Sequence, residues 1–282
     1  VISIRVQECL RGAFIAVVLV FAGIAAIPVP ALAQAPLPAD EIIDRAVERA
    51  ERQREAGAEL AFESRVESRV EHLGDDGQVE RVEWETYTQY ALDGVMFEER
   101  VAVEGEPLDQ DEHRDEAERK EEFREEVRER REDGEDPGPE REDSVEFNRE
   151  FVSRYRFSLA GEEVVDGFSC WVVYLAPRSD DLPVRRRIDN ALNNSTGYLW
   201  ISKDDFGVVR VEFEMARSVR FWGGILGTLR NAEGLLEFTR VAEDVWLPLT
   251  VDIRLDLRIL FTSIRRRILR EIDSHAQTAL AD

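Results

Sequence analysis

Apolar and polar positions recur along the chain with two periods, and the places where the period changes divide it into elements. In "PADEIIDRAVERAERQREAG", Ile42, Ile43, Ala46, Val47 and Ala50 return at three- and four-residue spacing. That spacing predicts a one-sided helix of about four turns that must lie against something apolar. Asp40 is its expected N-cap and Gly57 its stop. From Leu60 the period becomes two: Leu60, Phe62, Val66 and Val70 alternate with Glu63, Arg65, Glu67, Arg69 and Glu71, as in a half-buried strand. A turn at Gly74 to Gly77 leads to a second run, with Val82, Trp84 and Tyr90 on one side and Arg81, Glu83 and Glu85 on the other. After Asp93-Gly94 a third run carries Val95, Phe97, Val101 and Val103, completing an antiparallel meander.

Residues 107–143 interrupt the series. Acid-to-base pairs four residues apart, such as Asp115 with Arg119 and Glu116 with Lys120, predict a solvated helical insertion in which only Ala117, Phe123 and Val127 touch a core. A stretch without regular structure is expected near Gly134 to Pro139. Strand spacing then returns. Phe151, Tyr155, Phe157 and Leu159 share one face, Asp166-Gly167 turns the chain, and Cys170 to Ala176 is apolar on both sides. Residues 184–194 read as either a short helix or a loop. In "GYLWISKDDFGVVRVEFE", Tyr198 and Trp200 point one way and Leu199 and Ile201 the other; past the turn, Val209, Val211 and Phe213 oppose Arg210, Glu212 and Glu214. A segment from Arg217 to Leu229 contains Gly223-Gly224, and a strand covers Leu235 to Val241. In the next run Leu247, Leu249, Val251, Ile253, Leu255 and Leu257 oppose Asp252, Arg254, Asp256 and Arg258. The tail over 259–275 fits strand or helix. Roughly nine to eleven strands follow from these segments, and a twisted antiparallel sheet of that size curls, closes or splits into layers.

The first residues change the picture of where the chain works. Arg5 and Arg11 precede an almost uncharged run from Ala13 to Ile27, then Pro28, Pro30 and Ala31-Leu32-Ala33, the pattern of a secretory signal over residues 1–33. Cleavage is expected after Ala33, with Ala35 second; the apolar run is shorter than the ~20 residues of a spanning helix. Removing these residues takes two arginines and one glutamate from a net charge of −23, leaving −24. So acidic a chain does not suit a nucleic-acid partner or general adhesion to anionic membrane. Cys170 is the one cysteine beyond the signal, so no internal disulfide forms there.

Catalytic constellations are missing from the sequence. His72, His113 and His275 are scattered, and there is no serine elbow, phosphate-cradling glycine loop or HExxH pattern, so no catalytic residue, metal site or cofactor is expected. Cys170, in "FSCWVV", reads as a buried, inert thiol. The run Arg185 to Arg187 reads as surface loop, with a phosphate or headgroup grip as the alternative.

The segments "VVDGFSCWVVYLAPR", "GYLWISKDDFGVVRVEFE", "GGILGTLRNAEGLLEF" and "VWLPLTVDIRL" resemble the outer-membrane lipoprotein carrier and sorting (LolA-like) superfamily over residues 150–258, and 40–105 do so more loosely. The resemblance rests most on Gly197-Tyr198-Leu199-Trp200-Ile201 with its acidic turn and on Trp246-Leu247-Pro248. The acidic insertion departs from the small carriers. The resemblance implies an α+β fold: a strongly curved antiparallel sheet forming an unclosed half β-barrel, with the N-terminal helix and the charged insertion packing at its mouth or edge. Residues 34–282 would form that single domain. It also implies a non-catalytic protein of the periplasm or outer envelope, peripheral to the membrane, that binds lipid acyl chains or lipidated protein in an apolar cavity. Candidate lining residues are Trp84, Phe97, Tyr155, Phe157, Trp171, Tyr198, Trp200 and Phe213; alternation alone leaves open which face is concave. The alternative function is an envelope sensor or interaction module that binds a protein partner through its surface and acidic arm. A secreted hydrolase using paired carboxylates is a third and poorer reading.

Overall fold

A computed structural model describes residues 37–135, 145–179, 181–221, 227–260 and 262–278. The signal expected over 1–33, the Gly223-Gly224 pair and most of the stretch from Gly134 to Pro139 lie outside those residues. Helix α1 (Ala39–Glu55) forms where the periodicity places it, but Pro38 is its N-cap. Asp40 and Glu41 occupy its first turn, where carboxylates favour the positive end of the helix dipole. A short 3-10 turn leads into β1 (Phe62–Leu73), β2 (Val79–Leu92), β3 (Val95–Val103) and β4 (Glu106–Pro107). Next come α2 (Gln110–Glu132), α3 (Arg149–Ser153), β5 (Tyr155–Val165), β6 (Phe168–Pro177) and α4 (Arg187–Leu192). Six further strands follow: β7 (Ser195–Ser202), β8 (Val208–Met215), β9 (Val219–Phe221), β10 (Gly227–Ala242), β11 (Val245–Ile259) and β12 (Thr262–Gln277), the last a strand in what the sequence left ambiguous.

The twelve strands among the described residues exceed the nine to eleven expected because β4 and β9, two and three residues long, are too short to show alternation. Phe151 belongs to α3 and not to a strand: the Asn148 carboxamide oxygen accepts from its backbone N–H at 2.9 Å and starts the helix. Both Asp-Gly hairpins form with positive φ at each central residue (49° and 69° at Asp93-Gly94, 50° and 86° at Asp166-Gly167), the twist that two-residue hairpins need.

All strands pair antiparallel in the order β4-β3-β2-β1-β12-β11-β10-β8-β7-β6-β5, with β9 added beside β10. The terminal strands β4 and β5 do not meet, so the barrel is unclosed. Directly opposed residues of an antiparallel ladder share a face. One such row runs Phe157, Leu175, Gly197, Phe213, Gly234, Ile253, Ile268, Val70 and Glu83. This is the face that carries α1, and it is concave. Arg270 of β12 and Glu98 of β3 both project from it and pair at 2.7 Å although β1 and β2 lie between them. Three strand spacings in a flat sheet would separate those backbones by about 14 Å.

Helices α1 and α2 use opposite faces. On the concave side Ile42, Ile43, Ala46 and Val47 of α1, each at most 2% exposed, pack against Tyr155, Trp171, Val173, Leu175, Leu199 and Ile201. On the outer side α2 covers the β2–β3 edge, its Phe123 ring 4.9 Å from Phe97, with Val127 and Leu108 buried beside it. Ala117 stays exposed. Glu116 is buried instead, accepting from the backbone N–H of Arg100 at 3.0 Å and paired with Arg119. The Asp109 side chain and Glu112 close a reciprocal capping box at 2.9 and 2.8 Å. The insertion is therefore seated on the sheet through α2, and no helix among the described residues is long and apolar enough to cross a membrane.

Candidate functional site

The concave face divides into three zones. Under α1 it is filled. The helix is further fastened at its C-terminal end by Gln53, whose amide donates to the Trp246 carbonyl and accepts from the Trp246 N–H, both at 2.9 Å. Arg49, one turn earlier and 5% exposed, lies 3.7 Å from Asp205 and over the Trp246 ring. Its Nε and one terminal nitrogen have no hydrogen-bond partner, and burial draws its pKa down despite Asp205 and Asp244 nearby. Asp205 is the hub of this corner. It accepts from the Trp246 indole N–H at 2.8 Å and from the Gly207 backbone at 3.1 Å. Burial opposes its charge, but these donors and Arg49 outweigh that and hold its carboxyl below the usual range.

Beyond α1 the second zone is apolar and open. Leu236, Val251, Ile253, Leu255, Ile268 and Val70 occupy inner-face positions of β10, β11, β12 and β1. Each is half-buried, whereas the residues under α1 are sealed. Phe213 borders this wall, packed toward Met215, Val219 and Ala232. Its ring lies across Gly234, where an added Cβ would come within 2.4 Å of it, so the glycine makes room for the aromatic plate.

The third zone, toward β2 and β3, is polar. Arg270 pairs with Glu98, Arg100 with Glu85 at 3.1 Å, and the Tyr87 hydroxyl donates to Glu85 at 2.5 Å. Burial first, then that hydrogen bond to a carboxylate, raises the Tyr87 phenol well above its ordinary pKa. The concave face thus grades from an aliphatic wall to a hydrogen-bonding rim, the sequence of surfaces that an amphiphile presents.

The eight aromatic candidates fall four and four. Tyr155, Phe157 and Trp171 lie on the concave face in the cluster around α1, and Phe213 lies beside the open wall. Tyr198, Trp200, Trp84 and Phe97 are on the outer face. There Trp200 packs on Cys170, Val165 and Val209 while its indole donates to Glu163 at 2.8 Å. Tyr198 is 41% exposed, Arg69 lies over the Trp84 ring, and Phe97 lies beneath α2. The doubly apolar β7 therefore serves two clusters, Leu199 and Ile201 inward and Trp200 outward. The aliphatic wall was absent from the aromatic candidates, although the alternation from Leu247 to Leu257 was its signal.

No group of three or more histidine, cysteine, aspartate or glutamate side chains among the described residues is arranged to hold a metal ion. Cys170 is fully buried, and burial pushes its thiol up to about 11. Asp189, also fully buried, accepts from the Arg185 and Arg186 backbone and pairs with Arg154 at 3.1 Å, so the basic run is tied into a loop-and-helix brace.

No family model and no curated protein matches the chain. Among solved structures it is similar to a domain from Vibrio parahaemolyticus named for outer membrane lipoprotein sorting, at 12% identity and a TM-score of 0.36 over 86% of this chain and 95% of that one. It is also similar to a LolA superfamily protein from Nitrosomonas europaea, at 13% identity and a TM-score of 0.28 over 87% and 96% of the two chains. The MucA/MucB complex structure from Pseudomonas aeruginosa matches at 13% identity and a TM-score of 0.24 over 83% and 99%. At these identities and scores the likenesses carry no functional weight, and the half-barrel stands on its own strand pairing.

Proposed function

We propose that this chain is an exported, non-catalytic binding protein of the cell envelope that holds an acyl chain, of a lipid or a lipidated protein, along the open part of its concave face. The observation that carries the proposal is the aliphatic wall of Leu236, Val251, Ile253, Leu255 and Ile268, left half-buried where α1 ends its cover. A wall of this kind gains about 25 cal/mol for each Å² of apolar surface removed from water, and an acyl chain supplies such surface without needing polar partners. The ion-paired rim at Arg270, Glu98 and Arg100 offers hydrogen-bonding groups to the polar end of the same guest. The secretory pattern of residues 1–33 supports the envelope location.

Organic extraction of the purified chain followed by mass spectrometry should release acyl lipid, and the stripped protein should take up a fluorescent fatty acid saturably. Folded protein that carries no lipid and takes up no fatty acid overturns the proposal.

A further inference from the structure

A second binding surface lies on the outer face, away from α1 and α2. A trough of about 630 Å³ crosses β6, β7, β8, β10 and β11, lined by Tyr174, Tyr198, Glu212, Glu214, Glu233 and Leu235, with Asp252 and Arg254 at one end. Four strand spacings give it a length of about 19 Å, the reach of roughly six extended residues. Its two tyrosines stand with ring centroids 5.2 Å apart, and Tyr198 keeps 41% of its surface in water. The charges are unevenly satisfied. Asp252 is held by Arg267 at 2.7 and 2.9 Å, and Glu233 by Arg254 at 3.3 Å. Glu212 and Glu214 have no cationic partner among the described residues. Glu214 also stands directly opposite Glu233 in the β8–β10 ladder, an arrangement of like charges that destabilises a sheet. A self-contained sheet gains nothing from that pairing, whereas an incoming cation relieves it.

We propose that this trough docks an extended, arginine- or lysine-bearing segment of a partner protein. The tyrosine rings offer faces to cationic side chains, Glu212 and Glu214 offer unneutralised carboxylates, and Leu235 gives the stems an apolar floor. With Asp252 and Glu233 already paired, the two unneutralised carboxylates leave the lining net negative and select a cationic occupant. The surface is independent of the acyl-binding wall, since the two lie on opposite sides of one sheet.

The test uses the full chain and a fluorescein-labelled octapeptide of alternating arginine and glycine, read by anisotropy. Saturable binding is expected, with the Glu212→Gln/Glu214→Gln variant weaker by about tenfold and Tyr198→Ala by about threefold. A control with the same charge change on α2, Glu122→Gln/Glu126→Gln, should stay within about twofold of the parent. Thermal melts check folding, and Glu214→Gln should melt no lower than the parent because it removes the opposed pair. Fatty-acid uptake by the trough variants should be unchanged, which keeps failure here distinct from failure of the acyl-binding reading. The inference is overturned if the peptide does not bind saturably or if the trough and α2 variants weaken it equally. It is also overturned if spermine displaces the peptide at an equal concentration of charge.

Discussion

Replacing Gln53 with methionine keeps the length of the side chain and removes its two hydrogen bonds to the Trp246 backbone and the one its oxygen accepts from the Arg49 guanidinium at 3.2 Å. Each bond contributes about 1 kcal/mol net. Trp246 is only 5% exposed, so its freed N–H and C=O find water poorly. The expected loss is therefore about 3 kcal/mol, the sum of three such bonds. Because a slope of about 2–3 kcal/mol per molar urea is usual for a domain near this size, the unfolding midpoint should fall by about 1 M, followed by tryptophan fluorescence. Gln53→Ala should fall at least as far, having lost packing as well. A methionine variant whose midpoint lies within about 0.2 M of the parent would show that the Gln53 clasp is incidental to how α1 is held.

Other consequences are equally accessible. Ile43→Ala empties a site that is 2% exposed under α1 and should lower stability by about 2–5 kcal/mol in the same titration, against less than about 1 kcal/mol for a change at exposed Val164. Val251→Ser with Ile253→Ser alters half-buried wall positions and should weaken fatty-acid uptake by about tenfold, since each contributes about half of a full aliphatic burial to the guest. Iodoacetamide at pH 8 should leave Cys170 unmodified in the folded chain and label it in urea, because the thiol is sealed and its pKa stands at about 11. His275, hydrogen-bonded to Ser64 at 2.7 Å, has its pKa lowered from 6.5 chiefly by burial. Its contribution is complete above the unfolded value and is lost as pH falls through the folded one, so His275→Gln should flatten the decline in stability just below pH 6.5.

Much of this molecule can be read from residue order, for identifiable reasons. α1 is legible because Ile42, Ile43, Ala46 and Val47 meet an apolar sheet while every residue between them meets water or a polar corner. β11 is legible because its inner face is aliphatic and its outer face carries Asp252 and Asp256 paired with Arg267 and Arg265 of the next strand. β12 hides its period. Ile264, Arg266, Ile268 and Arg270 share the concave face just where the wall gives way to the charged rim, so apolar and basic residues alternate on one side. The half-barrel was within reach of the sequence, but the division of its lining was not. Large aromatics attract notice by size, whereas the side each one takes is set by register, and extra residues such as Val101 in β3 and Val209 in β8 shift parity mid-strand. Trp200 opposes Arg210 and Phe213 opposes Gly197 in one unbroken register, which puts the two rings on opposite faces of one hairpin.

A photoreactive fatty acid with a diazirine in its tail, cross-linked to the full chain and mapped by mass spectrometry, addresses the acyl-binding proposal most directly. Label confined to peptides bearing Leu236, Val251, Ile253 and Ile268, and competed away by unlabelled fatty acid, is the predicted result. Label that does not saturate, or that falls on Tyr198 and Trp200 across the sheet, would contradict it.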